Sequence, residues 1–309
     1  MQNRNQQNFE TALATMIQNH DIDYDMLRAT MKNVQKEASA QLEEIYRLTR
    51  TGKSEKALRR IHRFVKKFAP PEHPDWVCPS IHSEVELEVY LILMQERIRG
   101  KHLFPAVVPM GIVYHLWGLT LVSLGKVADA QKRFRQSQEW NPFARLNYFY
   151  MDRYCEENGD EEGWLQNIRQ EYQFAIYPQN LAEVYAELGC YLMHQGKPAE
   201  AAAVIAGAGK LTDGTFKPAA LDEDFRKALA AQQGTGTDKS FAEICREYGI
   251  DEGPDAGVTA AFKEAAAKAE AEERPWTAAA LYRQLGRLTG DPALTPRAEA
   301  IEKEIPQQD

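Results

Sequence analysis

Residues 111–142 read GIVYHLWGLTLVSLGKVADAQKRFRQSQEWNP, and the spacing within this stretch decides the fold. Val113, Leu116, Trp117, Leu121 and Leu124 follow one another at helical intervals, which puts a single apolar stripe on a helix that stops at Gly125. A second stripe of Val127, Ala130, Phe134 and Trp140 starts just after it and ends at Asn141-Pro142, where proline forbids continuation. Two short helices of this kind cannot bury their stripes against each other alone. Each pair needs another pair stacked on it.

The stretch resembles a unit of the tetratricopeptide repeat (TPR) family, whose 34-residue repeat follows W-x2-L-G-x2-Y…A-x3-F…P. Tyr114 takes the first aromatic slot, Trp117-Gly118 the L-G slot and Leu121 the second aromatic slot, followed by Ala130, Phe134 and Pro142. Downstream, Tyr185, Leu188-Gly189, Leu192 and Ala201 fill the same slots, with Ile205 in place of the aromatic. A middle unit keeps Tyr148, Gly159 and Pro178 but has Asp152 where the small residue belongs and Trp164 where the alanine belongs. Residues 42–70 resemble a further unit through Gly52, Ala57 and Ile61. The resemblance implies an all-α fold, an α-α superhelix in the form of a right-handed TPR-like solenoid of helical hairpins. It divides the chain into an N-terminal helical segment (residues 1–38), a repeat region (39–219, interrupted near 100–110 by Pro105 and Pro109) and C-terminal hairpins with a cap (220–309).

In this family the concave surface is lined by the first helices of successive units. The register places Ile112, His115, Leu119 and Val122 there in one unit, Leu146, Phe149, Arg153 and Glu156 in the next, and Glu183, Ala186, Cys190 and Met193 in the last. The groove so composed leans apolar and suits an amphipathic helix or an extended peptide. Family members that hold acidic chaperone tails use a lysine, asparagine and arginine clamp. Here the matching positions carry His115, Leu119, Tyr150, Glu183 and Glu187, and the two acids would repel such a tail.

Other segments bound the function. The net charge of -8 argues against chain-wide affinity for nucleic acid or an anionic membrane. No run approaches the length of apolar sequence a membrane-spanning helix needs, and the N-terminus lacks the layout of a secretory signal. Cys78, Cys155, Cys190 and Cys245 lie far apart without a C-x-x-C pair, which suits free thiols in the cytoplasm. Residues 53–67 carry Lys53, Lys56, Arg59, Arg60, Arg63, Lys66 and Lys67 opposite an apolar stripe; the face is either a solvated exterior or a docking surface for an acidic partner or nucleic acid, although Phe64, the one interleaved aromatic, belongs to the apolar stripe and gives base stacking little support. His73, Cys78 and His82 have zinc-ligating chemistry, but a structural site takes four ligands and no fourth is near. The competing reading there is a capped loop with a buried cysteine.

Residues 9–19 and a longer helix capped by Asp21 or Asp23 precede Gly52, and residues 81–99 are expected to form one helix lying in the interior. Residues 230–240 form a Gly/Thr/Gln-rich connection. The segment after them resembles the start of a helix-turn-helix, but its continuation through Asp251, Glu252 and Asp255 is acidic and does not suit DNA. There is no phosphate loop, nucleophile elbow or H-E-x-x-H. The sequence therefore predicts a non-enzymatic scaffold without a cofactor that binds a protein or peptide partner. Two alternatives stand beside it: a sensor that binds a small molecule or short signalling peptide in a central pocket, and a self-assembling structural protein.

Overall fold

The computed structural model describes residues 24–70, 75–81, 83–103, 106–212 and 237–303. The expected helix over residues 9–19, the caps Asp21 and Asp23, the ligands His73 and His82, and residues 230–236 of the connection fall outside them. Among the described residues the protein is all-α apart from one pair of two-residue strands.

The described residues fall into two compact units. One draws on Met1–Ile81 and Gly100–Asn141, the other on His82–Arg99 and Pro142–Asp309. The first contains α1 (Tyr24–Arg50), α2 (Ser54–Phe68), the parallel strands β1 (Trp76–Val77) and β2 (His102–Leu103), α5 (Met110–Val122) and α6 (Val127–Trp140). The second contains α3 (Glu84–Leu93), α4 (Gln95–Ile98), α7 (Leu146–Asn158), α8 (Glu161–Tyr172), α9 (Pro178–His194) and α10 (Pro198–Lys210). It continues with α11 (Phe241–Glu247), α12 (Ala256–Ala271), α13 (Pro275–Thr289) and α14 (Leu294–Lys303).

Five helical hairpins share one turn. Gly52, Gly125, Gly159, Gly196 and Glu273 each sit in the left-handed region, with φ between 55° and 71°. The next residue (Lys53, Lys126, Asp160, Lys197 or Arg274) donates its backbone N–H to the carbonyl five residues upstream at 2.9–3.0 Å, closing the first helix. Its own carbonyl then accepts the N–H of Ala57, Ala130, Trp164, Ala201 or Ala278, opening the second. All five of those side chains are fully buried. Glycine is the residue that tolerates the left-handed position; in the α12–α13 hairpin Glu273 holds it instead, and Pro275 at the first turn of α13 fixes the exit.

The position seven residues before the turn sets how closely a hairpin closes. A Cβ on Gly118 would overlap the Phe134 ring, and one on Gly189 would lie 2.6 Å from Ile205. Those hairpins and α12–α13, which has Ala266 there, pack along most of their length, whereas α1–α2 with Ile45 and α7–α8 with Asp152 meet less extensively. In the first unit the core is Ile45, Ala57, Ile61, Phe64, Met110, Val113 and Phe134. Thr49 and Thr120 hydroxyls pair at 3.2 Å between α1 and α5.

The helix expected over residues 81–99 is corrected. Ser83 caps α3 at Glu84, the chain breaks helix geometry at Met94, and α4 is a separate short turn. It is also not an interior helix: only Val89 and Tyr90 are buried, and the other apolar residues are half-buried. It lies against α12 and α13 and is held by its acids. Glu84 accepts from Thr277 Oγ1 at 2.5 Å, Glu88 pairs with Arg274 at 2.8 Å, and Glu86 accepts from Tyr177 OH at 2.8 Å. After α11, the loop to α12 is pinned by Tyr185, whose hydroxyl bonds the carbonyls of Asp251 and Gly253 and the N–H of Gly253. No helix among the described residues is long and apolar enough to cross a membrane.

Candidate functional site

The groove positions inferred from the repeat register lie partly in each unit. On α5, Ile112 is 52% and Val122 40% exposed, both large apolar side chains in contact with water. His115 and Leu119 between them are half-buried, with the His115 ring tilted against Phe134 at 5.7 Å between centroids. Apolar surface left exposed at helical spacing is what a partner can cover.

On α7, Leu146 is 51% exposed, and Phe149, Arg153 and Glu156 are half-buried. On α9, Glu183, Ala186 and Cys190 are buried, and Met193 is half-buried. In this unit the accessible residues are therefore those of α7 together with Met193, while Glu183, Ala186 and Cys190 form a layer beneath. The reason is electrostatic. Arg145, at the N-terminal cap of α7, pairs with Glu183 at 3.0 Å and Arg153 of α7 with Glu187 at 2.9 Å, so two guanidinium groups reach down onto α9. Arg153 also pairs with Glu156 at 2.6 Å and stacks against the rings of Phe149 and Trp164.

Beneath these arginines four carboxyl groups converge, a feature the sequence pattern does not assemble. Asp152 from α7, Glu171 from α8, and Glu183 and Glu187 from α9 are all at most 5% exposed. Asp152 occupies the small-residue slot of its hairpin. Its Oδ1 accepts from Asn167 Nδ2 at 2.6 Å, and the same amide donates to the Tyr148 carbonyl at 3.0 Å. Asp152 Oδ2, Glu171 Oε1 and Glu187 Oε1 are buried without a hydrogen-bond partner. Two arginines face four acids, and burial penalises the charged form of each acid.

The consequence is a set of carboxyl groups that hold protons unusually well. Burial, reinforced by Glu187 and Glu171, pushes Asp152 well above the ordinary carboxylate range, against the pull of Asn167 and Arg153. Burial and Glu187 do the same to Glu171, with Arg145 opposing. Burial carries Glu187 up to about 7 although Arg153 pulls the other way. The Cys190 thiol above them is raised, mainly by burial. Among the described residues no group of three His, Cys, Asp or Glu is arranged to hold a metal ion.

The remaining candidates resolve by position. Among the aromatic side chains of residues 148–172, Tyr148, Trp164 and Tyr172 are core, while Phe149, Tyr150 and Tyr154 reach the surface in part. All four cysteines are free, and burial raises the half-buried Cys78 thiol. The basic positions of α2 are exposed except for half-buried Lys67. No protein-family model matches the chain, and neither a curated protein nor a solved structure is similar enough to count as a match.

Proposed function

We propose that the chain is a TPR-like solenoid acting in the cytoplasm as a non-enzymatic scaffold, and that the first helices of its hairpins bind a peptide or partner helix. One observation carries the reading. Five hairpins repeat the same left-handed turn and the same buried position five residues after it, the arrangement a stacked helical repeat requires. On the first helices of two of them, Ile112, Val122 and Leu146 leave large apolar side chains in water. An amphipathic segment would cover the exposed apolar side chains of either unit with its own apolar face.

The test treats the two units separately. Leu119→Glu places a charge on the α5 surface, and Phe149→Ala removes an aromatic from the α7 surface. Proteins captured from lysate by the native chain are compared with those captured by each variant, with helicity checked by circular dichroism. A photo-crosslinking side chain at position 149, and separately at 119, then reports which partner touches that face. The reading holds if a captured partner cross-links from these positions and is lost on substitution. It fails if every partner is retained by both variants.

A further inference from the structure

We propose that the outward face of α2 is a second docking surface, and that its occupant is a short acidic segment of a partner protein. The inward face of this helix is settled: Ala57, Ile61 and Phe64 are fully buried. Its exposed positions are Glu55, Lys56, Arg59, Arg60, His62, Arg63 and Lys66, with Lys53 exposed at the cap. Among the described residues only Arg60 and Lys67 pair with a carboxylate, Glu44 and Glu37 of α1 respectively.

Such a face is costly to the helix that bears it. Lys56 and Arg60 are four apart, as are Arg59 and Arg63, and like charges at that spacing oppose each other on a helix. A face that served only solubility would do better with mixed signs. Across residues 24–68 there are twelve Lys and Arg against five Asp and Glu, in a chain whose net charge is -8. An anion laid along α2 relieves this repulsion. The cations from Lys56 to Lys67 extend over about 16 Å, the length of three helical turns.

The chemistry of the occupant follows from charge and from what the face lacks. The unit containing α2 carries 18 Lys and Arg against 12 Asp and Glu, and the other unit 19 against 33. A long polyanion such as a duplex, or the plane of an anionic bilayer, extends beyond one basic unit and meets the repulsion of a net acidic chain. A short segment is held within the screening distance of the basic face, about 8 Å at physiological salt. No exposed Phe, Tyr, Trp, Leu or Ile lies on α2 to stack on bases or enter a headgroup layer. Carboxylates on a peptide at helical or extended spacing match the ladder of cations.

The test uses the full chain and a fluorescein-labelled peptide of about 20 residues, rich in Glu at every third or fourth position, followed by fluorescence anisotropy. Binding is expected at about 50 mM salt and weaker binding at about 200 mM. The triple variant Lys56→Gln/Arg59→Gln/Arg63→Gln is expected to lose about tenfold in affinity. Lys263→Gln/Arg287→Gln, exposed in the other unit, binds as the native chain does. Should the first variant lose helicity, Lys53→Gln/Lys66→Gln carries the same comparison with a smaller loss. The proposal is overturned if the native chain does not bind the peptide, or if the α2 variants bind it as the native chain does. It is also overturned if a duplex of about 20 base pairs, or vesicles of phosphatidylserine, bind more tightly than the peptide.

Discussion

Replacing Asp152 with Asn is expected to stabilise the protein, and by more as pH rises. Asp152 is fully buried, and its Oδ1 accepts from Asn167 while its Oδ2 has no partner. Asn keeps the acceptor and removes the charge. The folded pKa of Asp152 is raised, so its favourable protonated state contributes fully below the unfolded value near 3.8 and is lost as pH rises through the folded value. Above the unfolded value the native fold must either keep a proton that the unfolded chain releases or carry a buried charge, a cost that grows with pH and that the variant does not have. With several kcal/mol at stake for an uncompensated buried ion and partial offset from Arg153, the variant gains about 2 kcal/mol at pH 8 and less at pH 5. Urea unfolding followed by far-ultraviolet circular dichroism at the two pH values measures both differences. Equal stability of the two proteins at pH 8, or the same gain at both pH values, would refute the reasoning.

Other substitutions probe the same architecture. Arg153→Met leaves Glu187 buried without its closest cation and is expected to cost about 3–5 kcal/mol at pH 8; the cost shrinks at pH 5, where a carboxyl group titrating near 7 is neutral, and a pH-independent loss would contradict this. Gly118→Ala drives a methyl group into the buried Phe134 ring and is expected to cost about 1–3 kcal/mol, read as a fall in urea midpoint that Phe134→Leu partly restores. Glu273→Gly relieves a side chain held at φ 55° and is expected to raise stability by about 1 kcal/mol, while Gly125→Ala at φ 71° lowers it by a similar amount. The raised carboxyl groups of Asp152, Glu171 and Glu187 are together expected to make the native chain more stable at pH 5 than at pH 8, which a titration of the urea midpoint checks directly.

Much of the hairpin architecture was legible because glycine and proline punctuate it. Gly52, Gly125, Gly159 and Gly196 mark turns, and Pro142 and Pro275 mark a stop and a start, each through a backbone property that no packing can override. The α12–α13 hairpin was harder to see because Glu273 stands where its siblings have glycine. Asp152 and Trp164 were visible as departures from the repeat, yet the sequence could not say that they mark a buried acid cluster. Glu171 lies in QNIRQEY, which reads as an ordinary polar helix end, and it acquires its character only where α7, α8 and α9 converge. The apolar run of α3 suggested full burial, but its acids are the groups that anchor it, and their partners lie in a segment too distant for periodicity to connect.

That distance has a consequence during synthesis. Arg274, which grips Glu84, is 190 residues further along the chain. At ribosomal rates of about 5–20 residues per second, α3 leaves the exit tunnel roughly 10–40 s before α12 and α13 exist to receive it. The unit closed by Asn141 has all its own strands and hairpins long before then. The nascent chain thus carries one apolar helix in waiting after a neighbouring unit is already finished, a period in which a holding chaperone has something specific to hold.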